Sequence, residues 1–342
     1  MKMQTLTKFG VLVSLLVAGG GCAKFRKAQD EKAARRREAQ TTQAAANPSA
    51  EANQAVARGQ LLANQGLDQV ALSEFERAIA INPRLVPAYL GIGQIQKKQG
   101  NLDKAEQAYG KATQIEPQNF DAQYNHGLVL QLLNRIAESV RAYLRALAIK
   151  PNDFDANLNL ATAYLQLGEP GPGLTYAQRA VRENGNSGPA RVNLGAIYAA
   201  LGDHENAVVE YQQAAELMEL TPELLLNLAD GLGKVGRYAE MQNTLEQLIK
   251  SKPTATAYER LASSMFRQQK FEEALTNFRK ALDVDKDYYP ALNGVGVCLL
   301  NRYLISQKKD LEARDDAIRA LRRSLQIEHR QPAVLDLVTR YG

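Results

Sequence analysis

A set of residues recurs along this chain every 34 positions, and that period restricts the fold to stacked copies of one small unit. Each copy carries Ala or Ser, then Phe or Tyr four residues later, Ala three residues further on, and Pro after five more. Three successive copies are Ala71, Phe75, Ala78, Pro83; Ala105, Tyr109, Ala112, Pro117; and Ser139, Tyr143, Ala146, Pro151. Shorter copies are Ala207, Tyr211, Ala214 and Ala274, Phe278, Ala281. Because tryptophan is absent and alanine is plentiful, closely packed helices are favoured over sheets.

Small residues keep the same phase in the first half of each unit. They are Gly59, Gly93, Gly127, Ala161, Gly195 and Ala229, and a turn residue follows each of them seven positions later: Gly66, Gly100, Asn134, Gly168, Gly202 and Gly236. A small residue lets two helices approach closely, the aromatic fills the gap between them, and glycine or asparagine supplies a left-handed turn. Each unit is therefore predicted to be a hairpin of two helices, whose second helix ends at the proline.

Eight such units, which we name repeats 1 to 8, are predicted at residues 52–85, 86–119, 120–153, 154–187, 188–221, 222–255, 255–288 and 289–331. Repeat 4 has Gly173 in place of the alanine, Ala177 in place of the aromatic, and Pro170 and Pro172 beside the turn. These residues predict a weaker hairpin whose second helix starts late. Repeat 8 carries extra residues before Ala317, which predict longer helices or a loop.

The pattern resembles the tetratricopeptide repeat family over residues 52–331. The resemblance implies an all-α fold, a right-handed superhelical solenoid of about eight hairpins whose first helices line a concave groove. It also implies that the partner is a protein or an extended peptide segment, and that the chain is not an enzyme. We expect the array at residues 51–331, followed by a capping helix at 332–342 that Pro332 opens.

Asparagine occupies the sixth position of four consecutive repeats, at Asn125, Asn159, Asn193 and Asn227. An amide both donates and accepts, and asparagine is a poor helix former, so helicity does not explain the row. The row is similar to the asparagine ladder in the tetratricopeptide domain of O-GlcNAc transferase, which implies that it holds the main chain of a bound peptide. The alternative is a set of polar surface residues or links between adjacent first helices. If the row binds peptide, replacing Asn159 and Asn193 with Ala weakens partner binding and leaves thermal stability nearly unaltered.

Two acids, Asp121 and Asp155, precede Asn125 and Asn159 by four residues and are predicted to lie near the same groove. They would favour a basic ligand. The alternative explanation is that carboxylates near the start of a helix are stabilised by the helix dipole.

The amino terminus has the composition of an export signal. Lys2 and Lys8 precede an apolar run from Phe9 to Ala18, and small residues then lead to Cys22. Residues 1–21 are therefore predicted to be a signal peptide. A cysteine after small residues resembles the bacterial lipobox, which implies acylation of Cys22 and a lipid anchor on the periplasmic side of a bacterial membrane. Plain secretion and an uncleaved amino-terminal anchor remain alternatives.

Most of the positive charge of the chain lies near this terminus. Cys22 and the stretch to residue 50 form a charged linker rich in Ala and Gln, which spans about 30 Å as a flexible coil. Residues 51–342 hold 33 basic and 34 acidic side chains, so the folded part is nearly neutral. A nucleic-acid partner is therefore not expected.

The sequence carries no enzyme signature. The histidines His126, His204 and His329 have no partner at metal-ligand spacing, and no cofactor or metal is expected. We therefore predict a membrane-tethered scaffold for a bacterial envelope complex. The alternatives are an accessory or substrate-recognition subunit of a separately encoded transferase, and a self-associating structural solenoid.

Overall fold

The computed structural model describes residues 32, 35 and 48–342, so the predicted signal peptide, Cys22 and most of the linker lie outside the described residues. The all-α prediction is confirmed: within the described part, residues 48–342 form 17 helices and contain no strand. The described part of the chain divides into two compact units between Ile115 and Glu116, which we call unit 1 and unit 2 and describe separately.

Unit 1 holds the first two hairpins. Its helices are α1 (Pro48–Asn64), α2 (Asp68–Ile81), α3 (Val86–Lys98) and α4 (Leu102–Ile115). Each helix packs against the next one along the chain, and α1 also contacts α3. The Phe75 ring, 1% exposed, fills the space between the backbones at Gly59 and Gly91.

Unit 2 contains six hairpins and a final single helix. Its helices are α5 (Phe120–Leu132), α6 (Ile136–Ile149), α7 (Phe154–Gln166), α8 (Pro170–Glu183), α9 (Gly188–Ala200), α10 (His204–Leu217), α11 (Pro222–Lys234), α12 (Tyr238–Ser251), α13 (Ala255–Arg267), α14 (Phe271–Val284), α15 (Tyr289–Ile305), α16 (Leu311–Ile327) and α17 (Pro332–Tyr341). Consecutive helices pack in pairs, and first helices of neighbouring repeats also touch, as α7 and α9 do. Most buried apolar side chains lie either between the two helices of one hairpin or between that hairpin and the next one.

The predicted roles of the small residues and the aromatics are confirmed. An ideal Cβ built on Gly127 would lie 2.8 Å from the Tyr143 ring, and one on Gly195 would lie 2.7 Å from the Tyr211 ring. Such distances are shorter than real packing allows, so an aromatic at this site excludes a side chain opposite it unless the ring shifts. The close approach of the two helices therefore depends on glycine in these hairpins.

The turn residues adopt the left-handed conformation predicted for them. The five turn glycines have φ between 73° and 81°, and Asn134 has φ of 59°. The sequence did not indicate that Gln269, in repeat 7, takes the same conformation with φ of 62°. A left-handed glutamine is strained relative to glycine.

The prediction of a late second helix in repeat 4 was wrong. Helix α8 begins at Pro170 and has 14 residues, the same length as α6 and α10. Pro170 and Pro172 lie in the first turn, where backbone N–H groups have no partner within the helix and proline costs nothing. In place of the missing aromatic, Ile197 from α9 is fully buried and lies against Ala177 and Gly173.

Repeat 8 contains the longer helices that its extra residues predicted. Both α15 and α16 have 17 residues. The predicted capping helix is confirmed as α17, which packs against α16. Its Tyr341 ring meets the Tyr303 ring edge to face at 6.4 Å, so the apolar flank of the last hairpin is partly covered.

Candidate functional site

The first helices of repeats 3 to 7 begin at side-chain caps that place them in the same phase. The caps are Asn119, Asp153, Ser187, Thr221 and Thr254, and each accepts a hydrogen bond from the backbone N–H three residues further on. Such a cap stabilises a helix by about 1 kcal/mol. Because the sixth residue after each cap is an asparagine or Arg260, these side chains occupy equivalent places on successive helices.

The four predicted amides are all half-buried, but they make different contacts. Asn125 Nδ2 donates to the backbone oxygen of Asp121 at 2.9 Å, on its own helix. Asn159 Nδ2 donates to the Tyr124 hydroxyl at 3.1 Å. Asn193 Nδ2 donates to Thr162 Oγ1 at 2.7 Å.

Asn159 and Asn193 therefore link first helices of neighbouring repeats, as the structural alternative anticipated. Asn193 Oδ1 is buried and accepts no hydrogen bond. In contrast, the side chain of Asn227 makes no hydrogen bond within residues 48–342. Within the described residues, Asn227 is therefore the amide of the predicted row whose N–H donor and carbonyl acceptor are both available to a partner. Peptide binding by this row stays a prediction.

Asp121 and Asp155 lie exposed in the first turns of α5 and α7. The pKa of the Tyr124 hydroxyl is raised, chiefly by burial and then by the negative charges of Asp155 and Asp153. Asp155 precedes Asn159 by about one turn of α7, and the Asn159 amide donates to the Tyr124 hydroxyl. Both acids also occupy positions where the helix dipole stabilises a carboxylate, so ligand binding by Asp121 and Asp155 stays a prediction.

A groove of about 340 Å³ lies between the first helices of repeats 5 and 6. We call it the central groove; its walls include Leu165, Val192, Asn193, Ala196, Met218 and Leu224. Glu223 lies at its edge, and Asn227 follows on the same face of α11, one helical turn later. The groove is mostly apolar and has an acid and an amide beside it, a combination typical of binding sites.

A second cavity, of about 460 Å³, lies between the first helices of repeats 6 and 7 and is highly charged. Asp230, Lys234, Arg260 and Arg267 line it. Arg260 forms an ion pair with Asp230, and burial lowers the pKa of its guanidinium. The repeat pattern alone does not indicate this site, although the charged residues Asp230 and Arg260 in the first helices of repeats 6 and 7 are a signal for it.

A third cavity, of about 390 Å³, lies between the first helices of repeats 7 and 8. We call it the Glu259 cavity; it is lined by Glu259, Phe266, Phe278, Asn293, Gly294 and Val297, with Ser263, Arg267 and Pro290 beside them. The Glu259 carboxylate accepts a hydrogen bond from Ser263 Oγ at 2.8 Å. Burial raises the pKa of Glu259 above its ordinary value, and the Ser263 hydrogen bond partly opposes that shift.

Replacing Glu259 with Gln is expected to stabilise the protein at pH 7. A carboxyl whose pKa is higher in the folded state binds its proton more tightly there, so stability falls as the pH rises through its unfolded and then its folded pKa. Urea denaturation at several pH values measures the effect. The gain should be present at pH 7 and vanish below about pH 4.3, the ordinary pKa of glutamate. Glu246→Gln, on the exposed surface of α12, is the matched control. A gain that persists at low pH contradicts this explanation.

Within the described residues there is no group of three or more His, Cys, Asp or Glu side chains that could hold a metal ion. Cys298 is buried, and burial raises the pKa of its thiol to about 12. A thiol that stays protonated is a poor nucleophile, so Cys298 is a packing residue. Among the helices of the described chain, none has the length and apolarity needed to cross a bilayer.

Comparison with known proteins identifies the repeats. Residues 93–134 and 132–168 match a family model described as TPR repeat, and residues 158–223 and 226–290 match one described as tetratricopeptide repeat. No curated protein sequence matches the chain.

Several solved structures share the fold. A tetratricopeptide repeat protein of Parabacteroides merdae is 18% identical, with 73% of this chain and 99% of that chain covered and a TM-score of 0.50. PilF of Pseudomonas aeruginosa is 18% identical, with 60% and 94% covered and a TM-score of 0.51. PilW, a widely conserved type IV pilus biogenesis factor, is 24% identical, with 59% and 94% covered and a TM-score of 0.50.

Proposed function

Because the chain belongs to the tetratricopeptide repeat family, whose repeats mediate protein–protein interactions, we propose that it is a membrane-tethered scaffold of a bacterial envelope complex. It binds an extended segment of its partner along the first helices of unit 2. The central groove receives apolar side chains of that segment, and amides of the asparagine row hold its main chain.

The central groove beside the Asn227 amide is the observation that carries this proposal. The groove exposes apolar side chains of Val192, on α9, and of Leu165, on α7, where a partner side chain would be removed from water. Asn227 lies on the same face of α11 and makes no hydrogen bond within the described residues. A peptide N–H and C=O placed there would satisfy both groups of the amide.

The envelope location rests on the amino-terminal sequence. An acylated Cys22 would hold the protein at a membrane, and the linker would let unit 1 and unit 2 reach a partner away from the bilayer. PilW shares only the fold with this chain, and it is a type IV pilus biogenesis factor.

Lipid attachment is testable at one residue. Cells expressing the chain are expected to incorporate labelled palmitate into it, and Cys22→Ser is expected to abolish the label and to release the protein from the membrane fraction. Cys298→Ser is the matched control and should keep the label, since Cys298 is buried in the fold. Equal labelling of wild type and Cys22→Ser would contradict the anchor.

Binding in the central groove is testable by photo-crosslinking in cells. A photoreactive amino acid at Val192 is expected to capture one segment of a partner, while the same group at Gln247, exposed on α12, should not. Asn227→Ala should reduce capture about fivefold, since a net hydrogen bond is worth about 1 kcal/mol, and should leave stability unchanged. Equal capture at both positions would refute the proposed site, and capture of a second copy of this chain would indicate self-association instead.

The structure changes the result expected from Asn159→Ala combined with Asn193→Ala. Because each amide makes a hydrogen bond to the neighbouring first helix, the pair of substitutions should lower the free energy of unfolding by about 1–2 kcal/mol in total. Stability is therefore not expected to stay unaltered, and Asn227→Ala is the cleaner test of binding. Urea denaturation of the double variant measures the difference.

A further inference from the structure

The Glu259 cavity has an aromatic and aliphatic floor. Phe278 is the aromatic of repeat 7, and Phe266 and Val297 extend the apolar surface on either side of it. Gly294 occupies the sixth position of repeat 8, where repeats 3 to 6 have asparagine, and a Cβ there would overlap the Phe278 ring. The Phe278 ring therefore packs directly against the Gly294 backbone and is only 4% exposed, so Phe266 and Val297 supply the accessible apolar surface.

The wall of the cavity carries a carboxylate that lacks a counter-charge. Glu259 accepts a hydrogen bond from Ser263, and no basic side chain of residues 48–342 forms an ion pair with it. Arg267 lies at the edge of the cavity with its side chain exposed, and Arg260 is held by Asp230 in the neighbouring cavity. Removing a carboxylate from water without a cation is costly, so a cationic group entering the cavity would recover that energy.

Asn293 provides a second acceptor, and its orientation is set by its neighbours. Gln331 Nε2 donates to the Glu328 backbone oxygen at 2.8 Å and to Ser324 Oγ at 2.9 Å, so Gln331 Oε1 must be an acceptor. Asn293 Nδ2 donates to that oxygen at 2.6 Å. The remaining atom, Asn293 Oδ1, is buried and accepts no hydrogen bond. A buried acceptor without a donor is rare in proteins, so Asn293 Oδ1 would be stabilised by a donor that reached it.

We propose that the Glu259 cavity binds an arginine side chain of the partner segment, an inference that rests on the function proposed above. A guanidinium presents several N–H donors in one plane, matches a carboxylate with two parallel hydrogen bonds, and stacks on aromatic rings. Its alkyl stem packs on apolar surface such as Phe266 and Val297. A lysine would be held less tightly, because its ammonium group is compact and strongly hydrated.

Small probes test the cavity without knowledge of the partner. N-acetyl-arginine amide and its neutral analogue N-acetyl-citrulline amide are titrated into the full chain, and binding is followed by NMR. The arginine probe is expected to bind at least about tenfold more tightly, since hydrogen bonds to charged groups are stronger than neutral ones. Glu259→Gln should weaken the arginine probe about tenfold and leave the citrulline probe unchanged, whereas Glu246→Gln should alter neither.

Two results would overturn the proposal. One is equal affinity for the arginine and citrulline probes. The other is tighter binding of N-acetyl-glutamate amide, because that result assigns the cavity to anions through Arg267. This test and the cross-linking test of the proposed function can fail independently. If Val192 still captures a partner in the Glu259→Gln variant and the cavity shows no preference for arginine, only the present inference is refuted. Glu259-dependent arginine binding without any capture at Val192 would refute the extended-segment site alone.

Discussion

Replacing Tyr143 with Ala is expected to lower the free energy of unfolding by about 3–5 kcal/mol, the usual cost of removing a buried aromatic ring. Tyr143 is 0% exposed and lies in the gap opposite Gly127. Its hydroxyl donates to Gln131 Oε1 at 2.9 Å, and its ring contacts Tyr124 at a centroid distance of 6.0 Å. Removing the ring leaves a cavity between α5, α6 and the following hairpin. Chemical denaturation and hydrogen exchange in α5 to α7 measure the loss.

Two controls separate the contributions of the Tyr143 ring and hydroxyl. Tyr143→Phe keeps the packing and loses one hydrogen bond, so it should cost about 1 kcal/mol. Tyr176→Ala removes a half-exposed ring that stacks on Tyr164 at 6.0 Å, and it should cost much less than Tyr143→Ala. If the Tyr143→Ala variant were as stable as the Tyr176→Ala variant, packing of the buried aromatic ring would not be a main source of the stability of the hairpin.

Replacing Gly195 with Leu is expected to lower the free energy of unfolding by about 1–3 kcal/mol, through overpacking. An added Cβ would lie 2.7 Å from the Tyr211 ring, and Tyr211 is only 2% exposed, so the ring has no free space to move into. The second helix of the hairpin would have to shift away. Thermal and chemical denaturation measure this loss.

The same substitution at Gly171 is the matched control. Gly171 is exposed in the first turn of α8, and an added Cβ meets nothing within 4 Å, so Gly171→Leu should be close to neutral. In a Tyr211→Ala background, Gly195→Leu should cost less, because the smaller residue makes room for the new side chain. Strictly additive effects of the two substitutions would contradict direct contact as the cause.

Much of the fold could be predicted because its determinants are local. A left-handed turn at Gly202, a proline after a helix and a small residue opposite an aromatic each act within one hairpin. Repeat 4 shows where this reasoning fails. Pro170 beside the turn predicts a late start for the second helix, but a proline in the first turn is compatible with a helix, and α8 begins at Pro170. The aromatic missing at Ala177 was replaced by Ile197 from the following repeat, which no rule within one repeat anticipates.

The candidate site was predicted only in part. The row of asparagines was visible, because it shares the phase of the repeat. The repeat pattern assigns no role to Glu259 and Arg260, which follow that row in repeat 7. Their role depends on burial, and Glu259 is half-buried because α15 of the next repeat packs against α13.

The sequence by itself determined the phase of the repeats, the helix pairs and the turns, since each depends on residues close together in the chain. Only the tertiary structure decided which polar groups remain available to a partner. Asn159 bonds to Tyr124, 35 residues away, and Asn193 bonds to Thr162, 31 residues away, whereas Asn227 bonds to neither neighbour. Hydrogen-bond partners and burial depend on how successive hairpins stack. Stacking brings together side chains of different hairpins, whereas the repeat pattern describes each hairpin by itself.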